Sequence, residues 1–495
     1  MFRRFKPEKV CERVGVINYI SLGHVSSGKT TTGGYLLAHM GGVLAPGDHA
    51  RVQHAKKAAG VEKDVENPYA RMLSSAHEVE QSLKMNRIVT TACGMAIFPL
   101  KSGIEVHLID APGHLLFFSE AVGGATGVTP DVAVVHIPAG IKEFEKGVSG
   151  QLKLHVLTAI AAGAGHIIVA VTMMDKVQYD QGAFGACKAK IAELLQSCLE
   201  FAQATAMCTI VPVCSVHGQN IKDRSPLMPW WTGRTLVEAI ERTLPSTRDK
   251  MPTRFAFSEG EGRKGVGVLQ SGTVSVGDDV VVYPGGYRAT VARISDPDDP
   301  FNAPTVQAGT AVSVSPAIGE EVEIELQPLD KTEASIAGGA VLCAFGGQYE
   351  PADVIVVRFR TGRFISDNLR ICPGSSVVVH VSGEIVPATL EKIICFTDAR
   401  GAADLVRDPP KMIVTSPETD DCVTFVAMFK LARPAVVAKH DRCIVCDGDV
   451  MLGFGEITRL GAPRAKPAPS AARAASASRL SRAVSAVSAA SASDA

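Results

Sequence analysis

Gly23-His24-Val25-Ser26-Ser27-Gly28-Lys29-Thr30 directly follows a short apolar run, Val14 to Leu22, and fits the pattern GxxxxGK[ST]. Between a strand and a helix, such a stretch has a mechanical meaning. Its glycines let the loop wrap a diphosphate with backbone N–H groups, Lys29 can reach the β and γ phosphates, and Thr30 opens a helix with its hydroxyl available to Mg²⁺. The loop predicts a site for a nucleoside triphosphate. Val106 to Ile109 reads as another buried strand, ending in Asp110-Ala111-Pro112-Gly113-His114. A carboxylate at a strand end can hold the water shell of a metal, and Gly113 is free to turn its N–H toward a γ phosphate. His114 alone reads as a surface imidazole; beside a phosphate loop it becomes a candidate functional group.

The pattern around these motifs sets the fold class. Apolar runs at Val14 to Leu22, Val106 to Ile109, Val132 to Ile137, His166 to Val171 and Thr209 to Val213 alternate with helical stretches. That alternation predicts a mostly parallel, doubly wound α/β sheet with its ligand beyond the carboxyl ends of the strands. After Leu244-Pro245 the pattern changes to short β-branched runs broken by Gly277-Asp278-Asp279 and Pro284-Gly285-Gly286, and a second such region runs from about Ala352 to Leu460 with strands at Val377 to Val381, Val423 to Phe429 and Gly453 to Leu460. Two small all-β barrels are expected. The predicted division is 1–245, 246–345 and 346–460, followed by a tail, 461–495. In the tail Ala, Ser and Pro dominate and Arg464, Lys466, Arg473, Arg479 and Arg482 leave the segment basic, a composition that predicts disorder.

Composition excludes several alternatives. Lys plus Arg number 50 against 51 for Asp plus Glu, so no overall field draws in a polyanion, and any RNA-binding face must be local. The 12 cysteines are irregularly spaced in a 495-residue chain whose charged start, Met1 to Val14, lacks an apolar targeting core. Reduced thiols and a cytoplasmic location are the expectation. Cys443-Ile444-Val445-Cys446 has metal-like spacing, but it lies in a stretch that reads as strand, where positions three apart face opposite sides. It is expected to be structural. No apolar run approaches the roughly 20 residues of a membrane helix.

The two phosphate motifs, GHVxSGKT and DAPGH, resemble the first and third signatures of the translational GTPases, and within them the elongation factor 1-alpha group of archaea and eukaryotes. Glu143-Phe144-Glu145-Lys146-Gly147-Val148-Ser149, Gly150-Gln151 and His155 resemble that group's EFEAGIS and GQTREH stretch, and Val211-Pro212-Val213 and Met228-Pro229-Trp230 extend the similarity. It covers roughly residues 12 to 460. The resemblance implies a nucleotide domain with two β-barrels, GTP or GDP with Mg²⁺ as cofactors, and aminoacyl-tRNA, the ribosome and a guanine-nucleotide exchange factor as partners. It also implies particular roles. His114 would orient the attacking water, Lys29 would neutralise the β and γ oxygens, and Mg²⁺ would be held by Thr30, Asp110 and a switch threonine. That threonine normally sits in RGIT; Arg87-Ile88-Val89-Thr90-Thr91 stands here, with Thr90 the first choice and Thr91 the fallback.

The departures carry information of their own. The family's guanine-reading NKxD is here Thr172-Met173-Met174-Asp175. Asp175 is kept, and an acceptor of the guanine N1 and N2 donors rejects adenine because the mismatch leaves a buried carboxylate unpaired. Met173 can still cover the base without an ammonium, whereas Thr172 is expected to be too short for all the bonds of the asparagine. The fifth signature aligns with Cys214-Ser215-Val216, whose base contact is expected from backbone N–H groups. Ser26 replaces the group's aspartate, and Leu115-Leu116-Phe117-Phe118 makes the second switch more apolar. The leading expectation is GTP-dependent delivery of aminoacyl-tRNA. A nucleotide-binding scaffold without efficient hydrolysis is the first alternative. A ribosome-rescue or termination relative is the second, disfavoured because only about a dozen residues precede the first strand. An ATP-sulfurylase GTPase subunit, of the same architecture, is more remote.

Overall fold

In the first half of the chain, parallel strands covered on both faces account for the long apolar runs. β1 (Val16–Gly23), β4 (Glu105–Asp110), β5 (Val132–Pro138), β6 (His166–Thr172) and β7 (Met207–Pro212) are joined by β2 (Val43–Leu44) and β3 (Gly94–Pro99) in the order β2-β3-β4-β1-β5-β6-β7. The five long strands pair in parallel, and β3 runs antiparallel to β4. The computed structural model describes residues 15–41, 43–44, 69, 94–111, 130–140, 149–243, 250–295, 316, 321–329, 336–362, 364–365, 369–397, 412–414, 422–448 and 450–461. Thr90, Thr91, Pro112, Gly113, His114, the run 115–118, residues 143–148 and the tail from 462 lie outside them.

Alternate residues of each strand feed separate layers. Ala133, Val135 and Ile137 of β5, with Ile167, Val169 and Val171 of β6, pack under α2 (Ser149–Ala162) and α3 (Gln181–Ala202). Val132, Val134, Ile168 and Ala170 face the other way, toward α1 (Lys29–His39) and α4 (Leu236–Ile240). Helix boundaries follow local chemistry: the Asp180 carboxylate accepts from the Ala183 N–H at 2.7 Å to start α3, and Thr235 with Glu238 closes a capping box at α4. Because β1 has β4 on one side and β5 on the other, the carboxyl end of β1 lies where connections diverge to both halves of the sheet. A ligand crevice belongs there.

Two closed antiparallel barrels follow, as the sequence pattern predicts. β8 (Arg254–Glu261), β9 (Lys264–Ser271), β10 (Asp279–Tyr283), β11 (Tyr287–Ser295), β12 (Glu321–Pro328) and β13 (Val341–Ala344) form the first, around Phe255, Phe257, Leu269, Ile324 and Leu342. β14 (Glu350–Thr361), β16 (Ser376–Val381), β17 (Glu384–Thr397), β19 (Val423–Val437), β20 (Arg442–Asp447) and β21 (Val450–Gly461) form the second; β15 (Arg370–Ile371) and β18 (Ile413–Val414) pair beside it. Gly461, expected to open the tail, instead ends β21, where it pairs with Val354. Backbone pairing to β14 extends the strand through this residue. Cys443 faces the barrel core and Cys446 the cluster under α2 and α3, the opposite-face arrangement expected of a strand.

Polar clasps join the parts. Arg254 of the first barrel is 2% exposed; its Nε donates to Gln270 at 2.7 Å, and its second guanidinium nitrogen reaches Glu384 Oε1 and the Ser382 carbonyl, both at 3.3 Å, in the second. It also donates to the Val436 carbonyl. The second barrel lies against the α/β domain through Ile444, Met451 and Phe454, with Arg442 donating to the Ile160 carbonyl at 3.1 Å and Arg360 to the Phe201 carbonyl at 2.6 Å. No helix among the described residues is long and apolar enough to cross a membrane.

These contacts set two expectations. Removing a buried guanidinium strands part of its carboxylate and carbonyl partners, so Arg254→Ala should cost about 3 kcal/mol or more, read as a lower urea midpoint. Burial pushes His136 and His155 down to about 3 and His166 and His380 to about 4. The unfolded chain therefore holds more protons between pH 6.5 and those values, and stability is lost as pH falls through that window. Thermal midpoints should drop between about pH 6.5 and about 5, and the drop should shrink in His166→Gln; an unchanged slope in that variant would count against this origin.

Candidate nucleotide-binding site

The loop after β1 starts with a contact that only glycine allows. Gly23 has φ +141°, and a Cβ there would lie 2.6 Å from the His136 carbonyl oxygen of β5 and 2.9 Å from Ser27 Oγ. The loop therefore begins flush against the neighbouring strand. Ser26 takes a left-handed conformation at φ 61°, and Gly28, at φ 94°, caps α1 without a side-chain hydrogen bond. The first turn of α1 contains no acidic residue. A helix N-terminus in this state presents backbone N–H groups and the positive end of its dipole to an anion. Ser27 Oγ is buried with no partner among the described residues, and Val25 is half-buried at the rim beside exposed His24.

Lys29 folds back under the loop, where its Nζ donates to the carbonyls of Gly23 at 2.9 Å and His24 at 3.0 Å. Burial lowers its pKa to about 8, partly opposed by the Asp110 carboxylate. Asp110 ends β4 and accepts from Thr30 Oγ1 at 2.7 Å, so two of the three predicted metal ligands meet across 80 residues of sequence. Their donor set, a hydroxyl and a carboxylate, suits a hard cation such as Mg²⁺. Ala111 is fully buried behind them.

At the end of β6, Thr172 Oγ1 donates to the Ser27 carbonyl at 2.6 Å. One short side chain thus braces the phosphate loop from the base-reading segment, with the one bond its length allows. Gly28 lies beside it, where a Cβ on that glycine would sit 3.5 Å from Thr172, in ordinary contact. Met173 follows in a left-handed conformation at φ 57°, turning the chain into the short 3-10 segment Met174–Val177 that carries Asp175. Asp175 Oδ1 accepts from the Cys214 thiol at 3.1 Å, which joins the fourth and fifth signature segments. Burial, the bond to Asp175 and that carboxylate's charge hold the thiol protonated, against the lowering effect of a backbone bond.

Ser215 and Val216 lie alongside. Ser215 Oγ bonds Thr32 Oγ1 of α1 at 2.7 Å, and the Cys214 N–H is already paired with the Gln219 carbonyl at 3.1 Å. Sequence reading missed Tyr179, whose phenol is pushed to about 12 by burial and then by Cys214 and Asp175 beside it. A tyrosine seven residues beyond the end of β6 gives no periodic signal. It also missed His136, a polar residue in an otherwise apolar strand, as part of the floor of the loop.

Comparison with known proteins agrees with this geometry. Residues 15–246 match the elongation factor Tu GTP binding domain. An elongation factor 1-alpha from Metallosphaera sedula is 32% identical over 288 residues, which are 56% of this chain and 63% of that protein; one from Pyrobaculum calidifontis is 27% identical over 405 residues, 80% of this chain and 84% of that protein. The chain thus spans under two thirds of the first of these relatives. The Saccharomyces cerevisiae Ski7 GTPase-like domain, solved bound to GTP, superposes with a TM-score of 0.64 at 15% identity over 90% of this chain and 97% of its own. That likeness is one of fold. Residues 15–246 thus match a GTP-binding domain of the elongation factor Tu kind, and the chain that carries them is similar to the elongation factor 1-alpha proteins, from which it has diverged.

Proposed function

We propose that this protein binds GTP and GDP, hydrolyses GTP, and delivers aminoacyl-tRNA to the ribosome in the cytoplasm. The observation that carries the nucleotide reading is the 2.6 Å bond from Thr172 to the Ser27 carbonyl. A phosphate loop and a base-reading carboxylate select a nucleotide together only when their separation is fixed, and this bond fixes it. Delivery of tRNA rests on the match of the GTP-binding domain and on the elongation factor relatives. An exchange factor is implied for the same reason. The altered base-reading segment favours a slower, scaffold-like variant, since Met173 stands beside Asp175 without an ammonium.

The chemistry follows from the residues' positions. Gly23 through Thr30 cradle the β and γ phosphates, and the α1 N-terminus adds its dipole. Lys29 is held by two carbonyls at the base of the loop, where its charge can reach both phosphates. Bound Mg²⁺ would screen the phosphate charge, with the Thr30 hydroxyl, the Asp110 carboxylate and Thr90 as its protein ligands. Gly113, after Ala111 and Pro112, would give its N–H to the γ phosphate, and His114 would orient the attacking water. Positioning and charge neutralisation supply most of the rate in such reactions. Asp175 accepts the guanine N1 and N2 donors while Cys214 holds its other side, and Met173 covers the base.

Titration with fluorescent GDP and Mg²⁺, competed by GTP, GDP and ATP, tests the reading. Saturable binding displaced by guanine nucleotides and not by ATP is the expected result; no saturable binding, or equal displacement by ATP, would overturn it. Thr172→Ala should weaken GDP binding by about tenfold, the cost of one buried hydrogen bond, and Thr172→Asn should recover the loss. Asp175→Ala should remove most of the preference for GDP over ADP.

A further inference from the structure

Behind the phosphate loop lies a small cavity of about 10 Å³ lined by Gly23, His24, Val135, His136, Ile137, Leu152 and His155. Its lining joins the apolar Val135, Ile137 and Leu152 to the imidazoles of His136 and His155. His136 Nε2 and His155 Nδ1 are buried there with no hydrogen-bond partner among the described residues, on side chains that are 2% and 6% exposed. His136 comes from β5 and His155 from α2, so the two rings approach the loop from different elements.

The protonation of His136 is legible from its other nitrogen. Nδ1 lies 3.3 Å from the Leu22 carbonyl, which can only accept, so Nδ1 carries the proton and Nε2 is a bare acceptor in the neutral ring. Burial and the nearby Lys29 ammonium keep both imidazoles neutral. A buried acceptor without a donor is costly, and a cavity of this size matches one water molecule, which satisfies two to four polar groups at such places.

We propose that this cavity holds one structural water, donating to His136 Nε2 and bonded to His155 Nδ1, and that the two histidines act through it as positioning residues for the Gly23–His24 turn. That turn supplies both carbonyls that hold Lys29. The water joins β5 and α2 to the floor of the phosphate loop, so the loop's resting shape depends on a helix that makes no phosphate contact itself. The effect on nucleotide release rests on the nucleotide-binding reading above; the water itself does not.

The two are separable by experiment on the full chain. A crystal structure with ordered solvent should show one water within hydrogen-bond distance of His136 Nε2 and His155 Nδ1; a dry cavity, or rings rotated to other partners, would overturn the proposal. A mutant cycle of His136→Val and His155→Leu gives a second readout. Each single change leaves the water or the opposite ring short of a partner, and should lower the thermal midpoint without nucleotide and speed release of fluorescent GDP by about threefold to tenfold. The double change removes both polar partners and should cost clearly less than the sum of the singles; additive losses in the thermal midpoint would refute the shared water even if no nucleotide binds. His155→Gln, which keeps a polar atom in the cavity, should stay near the parent in both measurements.

Discussion

The close approach of Gly23 to β5 governs the geometry of the site. With φ +141° and no room for a Cβ against the His136 carbonyl, the chain leaves β1 in a direction open only to glycine. Everything downstream inherits that direction. The turn aims the Gly23 and His24 carbonyls inward, where they bind Lys29, and it starts α1 at a glycine cap with its N–H groups facing the crevice. Parallel pairing of β1 with β4 then delivers Asp110 to Thr30, because Ser21 lies opposite Asp110 in the register.

The base-reading side is tied to this framework by short bonds between distant segments. Thr172 reaches the loop, Ser215 reaches Thr32 of α1, and Cys214 reaches Asp175. Each of the three uses a hydroxyl or thiol at a strand end. Short side chains there lose little rotamer freedom when they bond, whereas a long one must be immobilised along its length. The same economy separates the two kinds of joint in the molecule: the nucleotide site is knit by small groups, and the domains are joined by arginines that span from one to the next, Arg254 between barrels and Arg360 and Arg442 onto the α/β domain.

Much of this was legible in the sequence for identifiable reasons. The parallel sheet announced itself as runs too apolar for one-sided burial, the barrels as β-branched runs cut by Gly, Asp and Pro, and the phosphate loop through glycine positions that the backbone requires. Cys443 and Cys446 faced opposite ways because a strand leaves them no alternative. What stayed hidden were bonds whose partners lie far apart in sequence and follow no period. Thr172 was read as too short for all of the asparagine's bonds, and the one bond it does make, to the Ser27 carbonyl 145 residues away, follows no period. Arg254 gave no sign of its partners 130 and 182 residues away. His136 looked like an interruption in an apolar strand, since alternation tells which face a residue takes and says nothing of a cavity on that face.

Helix α3 has a further consequence. It begins at Asp180, just past the segment that carries Asp175 and Tyr179, and it ends at Phe201 and Gln203, which Arg360 of the second barrel grips. Its 22 residues make a rod of about 33 Å. A tilt of about 5° at the base-reading end would carry its far end about 3 Å, a distance that a packed interface cannot absorb by elastic give. Whatever moves the Asp175 loop therefore arrives at the barrel as leverage, by a route that bypasses the phosphate loop altogether.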